Sequence, residues 1–242
     1  MFSQYHRYGF SSITPEVLRR FAAFCYKPGM VQVKICGLSD AGSVKAACDA
    51  GADFTGFVFY TRSPRYVSPG QAAQLIALVP NGIGKVGLFV DASDDAIAGV
   101  IDESAIDHLQ LHGQETPDRV GAIRARFGLP VIKAVGIAGP SDIDTAMRYE
   151  TLADMLLFDA KPPATASALP GGNGLVFDWN LIAAHGWTKP WMLSGGLNAE
   201  NLSDAVRISG AKLVDVSSGV ESAPGVKHIE KIRGFIKAAK RL

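Results

Sequence analysis

The chain lacks any apolar run of the roughly 20 residues that a membrane-spanning helix needs: Gly, Pro or a charge interrupts every long hydrophobic stretch. A soluble protein is therefore expected. It also lacks an excess of either charge. Lys and Arg number 24 against 23 Asp and Glu, a formal net charge of +1, which gives no reason to expect nucleic acid or an anionic membrane as a partner. Cysteine is scarce. Cys25, Cys36 and Cys48 are odd in number and show no CxxC spacing, so neither a disulfide framework nor a thiolate zinc site is indicated, and a reducing cytoplasm suits them. The five histidines form neither an HxH nor an HExxH pattern, which speaks against a metal site. The P-loop and the GxGxxG dinucleotide fingerprint are missing too, so no cofactor is expected.

What is present fits one large domain: 242 residues, 48% hydrophobic and 19% charged. The first thirty residues stand apart, being aromatic and basic with Glu16 as the only acid. They are expected to form an extension outside the domain, either poorly ordered or a short helix in "TPEVLRRFAAF" with Thr14 as cap and Pro15 at its first position; a transit peptide is the alternative. The folded domain is expected to span residues 31–242.

From residue 31 onward, β-branched apolar runs alternate with helical patterns. The runs are "VQVKIC" (31–36), "DFTGFVF" (53–59), "KVGLFV" (85–90), "DHLQLH" (107–112), "PVIKAV" (130–135), "DMLLFD" (154–159), "PWMLSG" (190–195) and "KLVDVS" (212–217). Their near-continuous apolar character predicts parallel strands buried on both faces. Ser39, Ser68 with Pro69, Thr116 with Pro117, and Asn198 are the expected starts of intervening helices, and Gly51 and Gly210 are expected ends. Eight such units predict an α/β fold, a single (β/α)8 TIM barrel with a short N-terminal extension, over an open doubly wound sheet.

A barrel places chemistry at the carboxyl ends of its strands. Cys36, Tyr60, Asp91, His112, Asp159 with Lys161, "SGG" at 194–196 and "SSG" at 217–219 stand there. The glycine-rich stretches "PGGNG" (170–174), "SGGL" (194–197) and "SSGV" (217–220) belong to the second half, where backbone N–H groups commonly hold phosphate in this fold. Gly171, Gly172, Gly174, Gly195, Gly196, Ser218 and Gly219 are the resulting phosphate candidates. A cofactor-free reaction on a sugar phosphate is the economical reading.

Isomerising a sugar moves a proton between carbons, which requires a group to accept it and a group to donate one to oxygen. Cys36 and Asp159 are the candidates, the thiol as base if a cation or helix N-terminus acidifies it and the carboxyl as acid in the apolar setting of "MLLF". Other readings stay open at this point. A lone cysteine is often a small core residue, and Asp159 could pair with Lys161. Arg65 could be a solvated loop charge or a bidentate clamp for a carboxylate, with Arg62 as its substitute. His112 and Gln110 could orient a partner or simply sit satisfied at the rim.

The blocks "VKICGL", "GFVFYTRSPRYV", "VGLFVD", "LQLHGQE", "LPVIKA", "LLFDA", "GGNGLVFDW", "LSGGLNAENL" and "VDVSSGVES" follow one another in an order that resembles the phosphoribosylanthranilate isomerase family. The resemblance implies an Amadori rearrangement of N-(5-phosphoribosyl)anthranilate to 1-(2-carboxyphenylamino)-1-deoxyribulose 5-phosphate in tryptophan biosynthesis, without a cofactor. It implies Cys36 as the base at ribose C2, Asp159 as the acid that opens the furanose, and Arg65 as the holder of the anthranilate carboxylate. Asn173 and Leu175 depart from the threonine and lysine common in the family. The remaining alternatives are another cofactor-free sugar-phosphate isomerase and a barrel that binds an aryl sugar phosphate without turning it over. Monomer and homodimer are equally compatible with the sequence.

Overall fold

The eight apolar runs become eight strands: β1 Gln32–Cys36, β2 Phe54–Val58, β3 Gly84–Phe89, β4 His108–Leu111, β5 Val131–Ile137, β6 Met155–Ala160, β7 Trp191–Leu193 and β8 Leu213–Val216. They pair in parallel with their sequence neighbours, and β8 closes back on β1. This ring is a TIM barrel, and it rules out the open sheet. The computed structural model describes residues 30–161, 171–172 and 174–242; the helix expected within the first thirty residues, Cys25 and Asn173 lie outside the described residues.

Alternation along each strand divides the side chains between two cores. Val33 and Ile35 of β1 face outward into the large cluster between strands and helices. Phe54, Val86, Ile132, Ala134, Met155, Leu157, Met192 and Leu213 fill the barrel interior. The inward parity of β1 continues upward through Lys34 to Cys36, and that of β6 through Leu157 to Asp159. These two inward rows therefore end in Cys36 and Asp159 at the mouth.

The helices are α1 Ala41–Asp49, α2 Pro69–Ile76, α3 Asp94–Ser104, α4 Pro117–Phe127, α5 Pro140–Met147, α6 Asn180–Ala183, α7 Leu202–Ser209 and α8 Ile229–Ala239. Ser68 and Thr116 cap α2 and α4 as expected, accepting from Gln71 N and Arg119 N. Two expected starts shift. Asp40, not Ser39, caps α1, its Oδ1 accepting from Ser43 N at 2.9 Å; the carboxylate stands at the position where the third helical N–H needs an acceptor. Asn198 instead closes a turn by accepting from Glu200 N and Asn201 N, and α7 begins at Leu202.

After β8 the chain makes a short 3-10 turn, Ser218–Val220, then an antiparallel hairpin of β9 Glu221–Ala223 and β10 Val226–Lys227. The hairpin is additional to the eight expected strands. Its turn, "APGV", has Pro224 followed by Gly225 at φ +83°, the residue order that a type II turn demands.

Candidate active site

At the carboxyl ends of the strands an open cleft is lined by Cys36, Arg65, His112, Asp159, Gly171, Gly172, Gly174, Gly195, Gly196 and Ser218, among others. The structure thus brings together nine of the ten residues given a catalytic, carboxylate-binding or phosphate-binding role, while Arg62, Asp91, Gln110 and Lys161 stand outside the lining. Gly219 is outside the lining, and an added Cβ there would collide with the carbonyl of Leu197, so the backbone is closely packed at this position.

Cys36 ends β1 and is 4% exposed. On one side it joins Val58, Leu88, Tyr60 and Val90 in an apolar wall. Its neighbour across the ladder is Gly56, where a Cβ would come within 3.0 Å of Cys36 Sγ and 3.2 Å of Lys34 Cε. Glycine therefore leaves space for the thiol and the Lys34 side chain to lie together. Burial pushes the thiol above its ordinary range; Lys34 pulls it down, Asp215 pushes it up, and Lys227 pulls it down, leaving it raised.

Lys34 is fully buried, a position that requires an anion beside it. Register supplies one: Lys34 pairs with Asp215 on β8, and Nζ meets Oδ1 at 2.8 Å. Burial disfavours the ammonium, yet Asp215 and Cys36 outweigh it and hold the Lys34 pKa above its usual value. Asp215 Oδ2 also accepts from Ser194 Oγ at 3.2 Å.

Asp159 is the penultimate residue of β6, three strands from β1 around the ring. It does not take Lys161, which turns away to Asp142 at 2.7 Å. Instead Asp159 Oδ1 accepts from Ala160 N at 2.8 Å, and Oδ2 lies 3.2 Å from His112 Nε2. Nδ1 of the same imidazole lies 2.8 Å from Gln110 Nε2. With that amide donating, His112 carries its proton on Nε2 and donates to the carboxylate. Gln110 Oε1 is buried without a partner among the described residues, so turning the carboxamide over would place an acceptor at Nδ1 and free Nε2 to accept from a protonated Asp159. The Gln110–His112–Asp159 chain can therefore accommodate the carboxyl in either protonation state.

Arg65 follows the turn after β2 and is 6% exposed, which removes the solvated-loop reading; Arg62 is exposed. Its Nε and Nη2 donate to the two oxygens of Glu221 at 2.8 Å each. Burial would raise the Glu221 carboxyl, but the hydrogen bonds from Arg65 and the charge of Lys227 outweigh it and hold Glu221 below the usual carboxylate range. Lys227 Nζ lies 2.7 Å from Glu221 Oε1 and also donates to Ser217 O at 3.0 Å, while Ser217 Oγ donates to Cys36 O at 3.0 Å.

The glycines divide into two groups. Gly171 borders the Asp159 carboxylate, since a Cβ there would sit 2.8 Å from both Asp159 Oδ2 and His112 Nε2, and Gly172 borders Arg65. Gly174, Gly195, Gly196 and Ser218 converge at the ends of β7 and β8, where Gly174, Gly195 and Gly196 all have positive φ. Asn201 Nδ2 donates to Gly196 O at 3.0 Å and holds this loop in shape. Leu175 contributes its carbonyl, packed against Gly196.

Lys34, Asp215, Glu221 and Lys227 are the parts of the site that the sequence reading passed over. A lysine and an aspartate inside otherwise apolar strand runs, "VKIC" and "LVDV", were the available signal, because a charge on a fully buried strand needs a partner. Among the described residues no cluster of His, Cys, Asp or Glu is arranged to hold a metal ion, and no helix is long and apolar enough to cross a membrane.

A family model described as N-(5'phosphoribosyl)anthranilate (PRA) isomerase matches residues 33–238. A relative from Paracoccus denitrificans (strain Pd 1222), named N-(5'-phosphoribosyl)anthranilate isomerase, is 57% identical over 209 residues, covering 86% of this chain and 97% of its own. A crystal structure of phosphoribosyl anthranilate isomerase in complex with reduced 1-(o-carboxyphenylamino)-1-deoxyribulose 5-phosphate superposes with a TM-score of 0.77 at 36% identity, covering 88% of this chain and 100% of its own. Another, of monomers generated from the dimeric enzyme of Thermotoga maritima, has a TM-score of 0.76 at 36% identity with the same coverage.

Proposed function

The chain belongs to the phosphoribosylanthranilate isomerase family, and on that premise we propose that Cys36 and Asp159 carry out its Amadori rearrangement as base and acid, with Arg65 holding the anthranilate carboxylate. The enzyme is an isomerase of tryptophan biosynthesis. The observation that carries the assignment of roles is that a thiol and a carboxyl from β1 and β6 open into one cleft, flanked by an apolar wall and a fixed guanidinium.

Asp159 donates a proton to the furanose ring oxygen as the anilino nitrogen lone pair expels it, giving an open-chain Schiff base. The Cys36 thiolate then takes the C2 proton, and the C–H electrons move into the C1–C2 bond to give an enolamine. Protonation at C1 and loss of the C2 hydroxyl proton yield the aminoketose. The overall reaction moves hydrogen without adding or removing electrons, so the acid–base pair suffices. The apolar wall of Val58, Tyr60, Leu88 and Val90 offers a surface for the aryl ring, and a carboxylate can use the donors of Arg65 that Glu221 leaves free. The phosphate is assigned to Gly174, Gly195, Gly196 and Ser218, where positive-φ glycines let backbone N–H groups approach an anion closely; Gly171, Gly172 and Gly219 support the same loops.

Residues 31–242 form the catalytic domain in this reading and residues 1–30 an extension to it. The assembly is a monomer or a homodimer, and the cytoplasm is the compartment that suits a working thiol. The experiment is loss of anthranilate ribotide fluorescence with the wild type, Cys36→Ala and Asp159→Ala. Each variant should keep its fold and lose at least about 10²-fold in kcat. Full activity in either variant would sink its assigned role.

A further inference from the structure

Taking Arg65 as the carboxylate clamp proposed above, we infer that Glu221 is its positioning residue: it fixes which edge of the guanidinium faces the cleft and thereby sets the preference for carboxylated aryl sugar phosphates over uncharged ones. An arginine fork can meet a carboxylate side-on, through Nε and one Nη, or end-on, through both Nη atoms. Glu221 occupies the side-on edge with two bonds of 2.8 Å. The end-on edge is turned toward Gly172, whose imagined Cβ would come within 2.6 Å of Nη1. The acceptor recorded there is Gly172 O at 3.5 Å from Nη2, a contact at the outer limit of a hydrogen bond. A carboxylate arriving from the cleft replaces little and gains a charge-assisted pair.

The bracket that holds this orientation is the hairpin that the sequence did not foretell. Glu221 opens β9, and Lys227 in β10 grips Oε1 at 2.7 Å, while Gly225 N donates to Oε2 at 3.3 Å. On the other side the Arg65 stem lies against Gly37, where a Cβ would sit 2.6 Å from Arg65 Cδ. With its stem confined and one edge saturated, Arg65 presents the other edge in a single orientation. Lys227 also reaches Ser217, which donates to the Cys36 carbonyl. The same hairpin thus sets the offset between the clamp and the base.

The test compares N-(5-phosphoribosyl)anthranilate with its counterpart that lacks the carboxylate, N-(5-phosphoribosyl)aniline, in steady-state kinetics. Glu221→Gln should raise KM for the anthranilate compound about ten- to a hundredfold with little change in kcat, because an oriented charged hydrogen bond is lost. The aniline compound should show no change in KM. Glu221→Asp keeps the charge beside Lys227 and withdraws the carboxylate by one methylene; it should fold normally and lose part of the preference, so the inference remains testable if Glu221→Gln fails to fold. Equal losses on both substrates would mark Glu221 as structural only and overturn the inference, as would an undiminished preference in the folded variants. Arg65→Lys separates the two levels. If it keeps the preference, the clamp reading itself is wrong; if it loses the preference while both Glu221 variants keep it, only the role of Glu221 fails.

Discussion

Replacing Lys34 by Met tests how the proposed base becomes charged. The proposed mechanism needs a thiolate at Cys36. Below the thiol pKa the thiolate fraction, and with it kcat/KM, falls as Cys36 becomes less acidic. Lys34 is the strongest influence that lowers the Cys36 pKa, opposed by burial and by Asp215. A hydrogen bond to a charged group contributes about 1.5–3 kcal/mol, so removing Lys34 raises the Cys36 pKa further and should lower kcat/KM at neutral pH about 10- to 100-fold. Removing Lys34 also leaves Asp215 buried without its cation, a loss of about 3–5 kcal/mol in stability that thermal unfolding would register. The fluorescence assay across the neutral range, together with the pH dependence of Cys36 alkylation in a background lacking Cys25 and Cys48, measures the effect. Lys34→Met combined with Asp215→Asn should recover stability and part of the activity. A folded Lys34→Met enzyme with the wild-type kcat/KM and an unshifted alkylation curve would refute the electrostatic account.

Two further outcomes are expected. Lys161→Ala should leave kcat/KM unchanged, because Lys161 pairs with Asp142 rather than with Asp159; a large loss would show that Asp159 depends on it after all. Acid should destabilise the protein through Glu221. Its folded pKa lies below the unfolded one, so its contribution is complete above the unfolded value and disappears as pH falls through the folded one. Urea unfolding followed downward through the carboxylate range should therefore show a smaller loss of stability in Glu221→Gln than in the wild type.

The legible part of this protein consists of features that short segments carry by themselves. Apolar runs such as "VQVKIC" and "DMLLFD" marked all eight barrel strands to within a few residues, because a strand covered on both faces has to be apolar nearly throughout. Ser68-Pro69 and Thr116-Pro117 marked helix starts for an equally local reason: the cap binds an N–H three residues away. Even at this level a near neighbour can win, as Asp40 did over Ser39. Gly171 and Gly172 were legible as a turn but not by location, since their contacts with Asp159 and Arg65 come from other strands.

Strand order and inward parity, together with a Cys and an Asp at the ends of "VKIC" and "LLFD", were enough to place a thiol and a carboxyl at the mouth of a barrel and to link them with a known family. By itself, then, the sequence determined the eight barrel strands, their polarity and which of their side chains reach the rim. Only the tertiary structure decided what each rim residue touches. Lys34 meets Asp215 across 181 positions and Arg65 meets Glu221 across 156, separations at which no periodicity or spacing carries information. The choice of His112 over Lys161 as the neighbour of Asp159 was decided in the same way. Buried charges must find partners, but barrel closure and strand register determine which partners lie within reach.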